Sequence, residues 1–318
     1  MMVCAIADNG SVTKAASALG LAQPALTAQL QRIERALGGP LFERDRRGAR
    51  PTPLGELVLA RARVLLPAVR GLQDEAVRMA SDSAAMRVYR IGTVNGPILS
   101  GLVHRLTSGE QPAHLTTYTS WSARQLAEMV GTGRLDFALI GVCGDSSPPL
   151  ASELCWRTVA TDAVFVLLPA DHPLAGKEEV DLAELADARW TATPGEGCLQ
   201  DCFVAACARA GFTPRDVYEG DVRTCIGLVE AGHAVALCQS SFRPQPGVVP
   251  VPIAGTPLRW RHLLGWHPGM PAAAYAEQVY EHAVAAYQDA VARVPRLERW
   301  LAEHPRFGAH QPSVVEFP

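Results

Sequence analysis

Between Ser11 and Gly38 apolar side chains return every three or four positions, first as Ala15, Ala16 and Leu19 in "SVTKAASALG", then as Leu26, Leu30, Ile33 and Leu37 in "AQPALTAQLQRIERALG". That is the period of a helix with one buried stripe. Two helices are therefore expected, the first short, with Gly20 capping it and turning the chain. Pro24 suits the first turn of the second helix, where its missing N–H forfeits no bond. The small residues of the first helix let the second cross it closely. This order and turn make a helix-turn-helix pattern; a helix pair in a bundle, with a solvated polar side, is the plain alternative.

Downstream, Val58, Ala62, Leu65, Val69, Leu72, Ala76 and Met79 alternate by four and three through residues 53–80. Such a heptad seam wants a partner helix, either its own copy in a dimer or the chain's own head. Pro67 and Gly71 bend or loosen it. Near Met86 the texture changes: "RVYRIGTV" (Arg87–Val94), "LDFALIGV" (Leu135–Val142) and "AVFVLLP" (Ala163–Pro169) are of strand length, separated by helical patterns such as Ser122–Gly133. A second series runs through Ala188–Gly195, Cys198–Gly211 and Ile226–Cys238. A Pro-rich crossing (Arg243–Gly255) then leads to a strand at Arg261–Pro268 and a helix at Ala273–Val294. Alternating strands and helices imply an α/β body with a parallel or mixed sheet. Residues Pro295–Pro318 read as an appended tail.

With 318 residues the chain has room for about two domains with real cores. No apolar run approaches the roughly 18 residues a membrane span requires, and the N-terminus lacks the pattern of a secretory signal, so a cytoplasmic location without a membrane partner is expected. The net charge of −3 is unevenly spread. Residues 1–80 hold 11 basic and 7 acidic residues, a net +4, leaving −7 for the remainder; a basic head that meets a polyanion is one reading and a solvated surface the other. The eight cysteines are expected as reduced thiols. They form no C-x-x-C pair and the histidines do not fall at ligand spacing, so neither a metal nor a cofactor is expected.

The polar row of the second helix changes the picture most. Entering a major groove N-terminus first, it would turn Gln23, Thr27 and Gln29 to base edges or phosphates, amides being suited to adenine. Arg32, Arg46 and Arg47 would neutralise phosphates, the latter two from a basic wing spanning Glu43–Pro51. Thr13, Lys14, Pro24 and Ala25 complete the expected DNA-binding set. Against an enzyme, the sequence holds no G-x-S-x-G elbow, no phosphate-cradling Gly-rich loop ending in Lys-Ser/Thr and no His-Glu-x-x-His motif.

These residues carry a resemblance. The Gly-Ser, Ala-Ala, Gln-Pro-Ala-Leu, Gly-x-x-Leu-Phe-x-Arg and Thr-x-x-Gly series between Asn9 and Arg63 closely resembles the N-terminal domain of LysR-type transcriptional regulators. The body, through "GTGRLDFALIG" (Gly131–Gly141), "LPADHPLAG" (Leu168–Gly176) and "EAGHAVALC" (Glu230–Cys238), is similar to the family's effector domain. The likeness spans roughly residues 1–290. Three departures stand out: fewer residues precede the first helix than is usual, Ala22 replaces a frequent Ser, and the turn within Ile91–Leu99 is short.

The resemblance implies a winged helix-turn-helix over 1–52, a linker and dimerisation helix over 53–84, and an α/β effector domain over 87–292 that resembles periplasmic binding proteins. Its first subdomain would comprise 87–161 and 246–292, its second 162–245, with 293–318 as the tail. It further implies a bacterial homodimer or homotetramer that binds double-stranded DNA and a small-molecule effector and meets RNA polymerase. Cleft-lining candidates, each polar or a turn residue at a strand end, are Thr93, Asn95, Ser120, Thr193, Pro194, Gly195 and Gln239. Finally, "GEGCLQDCFVAACARAG" (Gly195–Gly211) resembles the switch segment of the family's peroxide sensors, which implies redox sensing by Cys198 and Cys207 as an alternative to small-molecule sensing. Burial as small core residues is the other reading of these cysteines.

Overall fold

The computed structural model describes residues 2–45, 48–62, 65, 69, 87–94, 96–109, 112–149, 154–194 and 198–309. The chain divides into two units, residues 1–85 and 86–318. In the first, helices α1 (Met2–Asn9), α2 (Val12–Ala18) and α3 (Gln23–Leu37) are followed by an antiparallel hairpin of β1 (Phe42–Asp45) and β2 (Gly48–Pro51), and by α4, described over 53–62. The core is Ile6 of α1, Ala15 and Ala16 of α2, and Leu26 and Leu30 of α3, closed by Leu41, Phe42 and Leu59. The alanines leave room for α3 to cross α2, as the small-residue pattern requires. The expected stripe is narrower than its period suggests: Ile33 is half-buried and Leu37 is 46% exposed. Thr52 ties the unit together, its hydroxyl donating to the Pro40 carbonyl at 2.7 Å and accepting from the Gly55 amide at 3.0 Å to cap α4.

The body begins with β3 (Val88–Thr93), α5 (Ile98–Ser108), β4 (His114–Thr119), α6 (Ala123–Gly131) and β5 (Phe137–Cys143). Then comes β6 (Cys155–Pro169), a 15-residue strand that both lobes share. The second lobe follows as β7 (Arg189–Ala192), α7 (Cys198–Arg209), β8 (Arg215–Glu219), α8 (Val222–Glu230), β9 (Val235–Gln239) and β10 (Val248–Pro252). The chain returns through β11 (Arg259–Trp266) and α9 (Ala276–Ala292), and ends with α10 (Pro295–Glu303) and β12 (Gly308–Ala309). Strands run in the order β4-β3-β5-β11-β6-β9-β7-β8. Residues 155–163 of β6 pair with β11 in lobe one, and 164–169 pair with β9 and β10 in lobe two. Within each lobe the outer strands are parallel, β4 and β5 to β3 and β8 and β9 to β7.

Two expectations need correction. β10 pairs with Phe165–Pro169, so it belongs with the second lobe, and the return crossing lies between Pro252 and Arg259, not at residue 246. Nor do residues 295–309, the described part of the expected appended tail, stand apart from the body. β12 pairs with Ala160 and Thr161 of β6, Phe307, Trp300 and Leu301 cover Ala163 and Phe165, and Arg306 bonds to the Thr256 hydroxyl. The reason is compositional: Leu297, Trp300 and Leu301 fall at helical spacing and have a hydrophobic strand to bury against.

Lobe one packs α5 and α9 on one face of its sheet, around Tyr89, Ile91, Leu102, Phe137, Val279 and Ala283, and α6 on the other, around Leu126, Val130, Ile140 and Trp156. Lobe two packs Phe203 and Cys207 of α7 onto Val164, Val166, Trp190 and Val251. Where β6 changes lobes, Asp162 is fully buried, held by His262 and Tyr287.

Candidate nucleic-acid interface and interlobe cleft

The start of α3 presents an open helix end. Its N-cap, Ala22, supplies no side-chain acceptor, and Pro24 removes one donor without leaving a gap. The remaining first-turn N–H groups, together with the positive end of the helix dipole, suit an anion such as a DNA phosphate. Gln23, Pro24, Ala25, Gln29 and Arg32 are exposed and Thr27 is half-buried, while Thr13 and Lys14 are exposed on α2. This row is offered outward because Leu26 and Leu30, fully buried, fix the rotation of α3. Its far end is pinned too: Gly38 caps it in the left-handed region (φ 79°), and the Glu34 carboxylate accepts the Leu41 amide at 2.8 Å where the wing begins.

The wing is anchored to the turn after α1, the Ala49 amide donating to the Gly10 carbonyl at 2.8 Å. Gly48, at φ 126°, permits that approach, since a Cβ there would overlap the Gly10 oxygen. Arg46 and Arg47 lie outside the described residues. On the linker, Val58 packs on the head core, whereas Leu65 and Val69 are 60% and 50% exposed; Leu72, Ala76 and Met79 lie outside the described residues.

In the body, the C-terminal ends of the parallel strands place several cleft candidates. Thr93, buried, ends β3; its carbonyl accepts the Ser120 amide at 3.1 Å, and its hydroxyl bonds to the Val94 carbonyl at 2.5 Å. Ser120, one residue past β4, holds the Gln125 side chain at 2.5 Å. From lobe two, Gln239 ends β9 with its amide nitrogen 3.9 Å from where a Cβ on Gly96 would stand, so it reaches the turn after β3. Thr193 and Pro194 are exposed beyond β7, and Asn95 and Gly195 lie outside the described residues. Sequence reasoning passed over Ser240, whose buried hydroxyl has no partner among the described residues beside Gln239; a lone Ser in a turn gives no signal.

Cys198 and Cys207 stand apart, with Cys207 among the small core residues of lobe two. Cys198 and Cys207 stand on one continuous helix, α7, which sets them about 13 Å apart along its axis at 1.5 Å per residue, far beyond disulfide reach. Cys207 is fully buried, and burial pushes its thiol up to about 11. Cys198 instead approaches Cys143 at the end of β5, its sulfur accepting the Cys143 amide at 2.9 Å.

Comparison with known proteins agrees with both units. Residues 1–56 match the bacterial regulatory helix-turn-helix model of the LysR family, and residues 87–288 match the LysR substrate binding domain. The small neutral protease regulatory protein of Streptomyces coelicolor is 38% identical over 301 residues, covering 94% of this chain and 89% of that protein. The HTH-type transcriptional regulator ShiR of Corynebacterium glutamicum is 30% identical over 276 residues, 83% of this chain and 90% of that one. Among solved structures, full-length CbnR complexed with its target DNA superposes with a TM-score of 0.70 at 19% identity, over 89% of this chain and 97% of that chain. An N-terminal helix-turn-helix, an α/β substrate-binding body and relatives of this kind lead to one conclusion: the chain belongs to the LysR family of DNA-binding transcriptional regulators.

Proposed function

We propose that the protein binds an operator as a homodimer or homotetramer through α3 and the wing, and that a small effector held between the two lobes sets its regulatory output. The observation that carries the DNA part is the open, exposed N-terminus of α3, with Gln23, Thr27 and Gln29 beside it and no side-chain cap competing for its donors. In this reading the amides and hydroxyl select bases, Arg32, Arg46 and Arg47 neutralise phosphates, and the exposed Leu65 and Val69 seam pairs two heads on one duplex. The effector part rests on Thr93, Ser120 and Gln239 converging on the turn after β3, with Asn95, Thr193, Pro194 and Gly195 completing the cleft rim. The protein acts in the cytoplasm, catalyses no reaction, and works through RNA polymerase.

A nuclease footprint of the full-length protein across the intergenic DNA upstream of its own gene tests this. A protected, salt-sensitive segment that needs a higher protein concentration in Gln23→Ala is the expected result. Equal protection of unrelated DNA by both proteins would overturn the assignment of α3 as the sequence-reading helix.

A further inference from the structure

The chain passes between the lobes within β6, at Ala163 and Val164, and again between β10 and β11, and the residues after α9 fasten both crossings. They set out from lobe one, where Val294 and Leu297 are buried at the end of α9. Arg296 then reaches lobe two: its guanidinium donates to the carbonyls of Pro250 on β10 and of Lys177 and Glu178, at 3.3–3.5 Å. Trp300 meets the Phe165 ring edge-on with centroids 5.4 Å apart, and Phe307 packs on Ala163 and Phe165, so the two rings straddle the first crossing. Cys238 of β9, beside Gln239, packs against the same group. At the second crossing the Arg306 guanidinium donates to the Thr256 hydroxyl. The turn there is strained: Gly255 and Thr256 lie at φ 70° and 49°, and a left-handed threonine persists only where its surroundings hold it. β12 then returns to lobe one. At Ala160 and Thr161 β6 is already paired with β11, so β12 takes the opposite edge. All of this lies past residue 288, where the match to the LysR substrate binding domain ends.

We propose that residues 295–309 are a strap across the hinge, holding the two lobes at one separation, with Arg296 and Arg306 as the positioning residues that set it. A body of two lobes bends at the few residues that carry the chain between them, which absorb the change in backbone angles. Here each bend breaks a contact. Turning β6 between Ala163 and Phe165 lifts Trp300 and Phe307 from one of the two and returns apolar surface to water. Turning the second crossing carries Thr256 away from Arg306. Because Val294 and β12 anchor both ends of the strap on lobe one, any shift of lobe two also pulls Pro250, Lys177 and Glu178 from Arg296. The rims at Thr93 and at Thr193 are thereby spaced before a ligand arrives, and a ligand that fits another spacing binds only by working against the strap. That last consequence rests on the effector site proposed above; the restraint on the lobes does not.

The test measures interlobe distance in the full chain without ligand. Nitroxides are attached through p-acetylphenylalanine at two exposed positions, Glu128 on α6 of lobe one and Arg223 on α8 of lobe two. Their separation is read by double electron–electron resonance, with excess unlabelled protein so that only distances within one chain are seen. The native sequence is expected to give one narrow distribution. A chain stopped after Val294 and the variant Arg296→Ala/Arg306→Ala are both expected to give a broader one with a shifted mean. Truncation could cost the body its fold, whereas both arginines are exposed and their removal leaves the Phe165 cluster in place. A strap that only stabilised the body would lower the thermal midpoint and leave the distribution of the folded molecules unchanged. An unchanged distribution in the arginine variant would therefore overturn the proposal, as would one unchanged by truncation. The readout is a distance in the ligand-free protein, so it stands or falls apart from effector or DNA binding.

Discussion

The Nε2 of His262 lies 2.9 Å from Oδ2 of Asp162, a pair shut inside the body where β6 leaves one lobe for the other, and the Tyr287 hydroxyl donates to the second carboxylate oxygen at 2.5 Å. Burial and the Asp162 carboxylate both push the Tyr287 hydroxyl up, keeping it a donor. Asp162→Ala strands two buried polar side chains. It is expected to destabilise the body by about 3–5 kcal/mol, with Tyr287→Phe costing about 1–3 kcal/mol, both read as lowered urea midpoints. A midpoint unchanged in Asp162→Ala would show the network to be dispensable.

On the head, Gln23→Ala and Thr27→Ala should each cost about 1–3 kcal/mol of operator affinity while leaving binding to random DNA nearly intact. Arg46→Ala should weaken both alike and flatten the salt dependence. Titrations by fluorescence anisotropy at two salt concentrations separate these behaviours.

Leu65 and Val69 present apolar surface that nothing described in the chain covers. Replacing both with Glu places charges on the proposed seam and is expected to shift the protein to monomers in sedimentation velocity. Operator affinity should fall at least tenfold, because two heads no longer share one duplex. An unchanged sedimentation coefficient would place the self-association elsewhere.

Cys207 gives a pH prediction of definite sign. Its folded value, about 11, lies above the ordinary 9.0 because burial favours the neutral thiol. The stability this contributes is fully present below pH 9.0 and is lost as pH rises through about 11. Between those values the thermal midpoint should fall less steeply in Cys207→Ala than in the native sequence, after allowance for the cavity. At pH 8, iodoacetamide should modify Cys202 in the folded protein and reach Cys207 only on unfolding.

Stopping the chain after Val294 removes α10 and β12 and uncovers Ala163 and Phe165. Differential scanning calorimetry should show a lowered transition for the body and an unchanged one for the head. A body that melts as before would mean that the Trp300 and Phe307 contacts contribute nothing net.

The head was legible because its helices carry one-sided periodicity and its turns carry Gly and Pro at positions with a physical reason. The same held for β3, β5 and α9. Other elements hid for identifiable reasons. The first half of β6 contains Arg157, Thr158, Thr161 and Asp162, polar residues that read as a loop until their partners, Glu277, Tyr280, His262 and Tyr287, arrive from more than ninety residues away. Pro250 and Pro252 disguised β10, which tolerates them by lying off the main strand path, paired with β6. β4 and β8 are edge strands with largely exposed side chains and so carry no strong alternation. In the candidate site, the strand-end position of Thr93 followed from the apolar pattern of β3, whereas Ser120 and Gln239 were expected from the family resemblance. The approach of Cys198 to Cys143 was legible in neither, for it depends on how α7 lies against β5.

The strand order also dictates a sequence of events at the ribosome. β5 and β6 are not neighbours; β11, some ninety residues further along, stands between them. Lobe two, an uninterrupted stretch ending at β10, can therefore close while lobe one still lacks its middle strand. Lobe one must then wait for β11 and α9, and β12 reaches Ala160 and Thr161 only with the final residues of the chain. The nascent chain thus has its helix-turn-helix unit complete before its substrate-binding body, and a chain whose synthesis fails early keeps the first and loses the second.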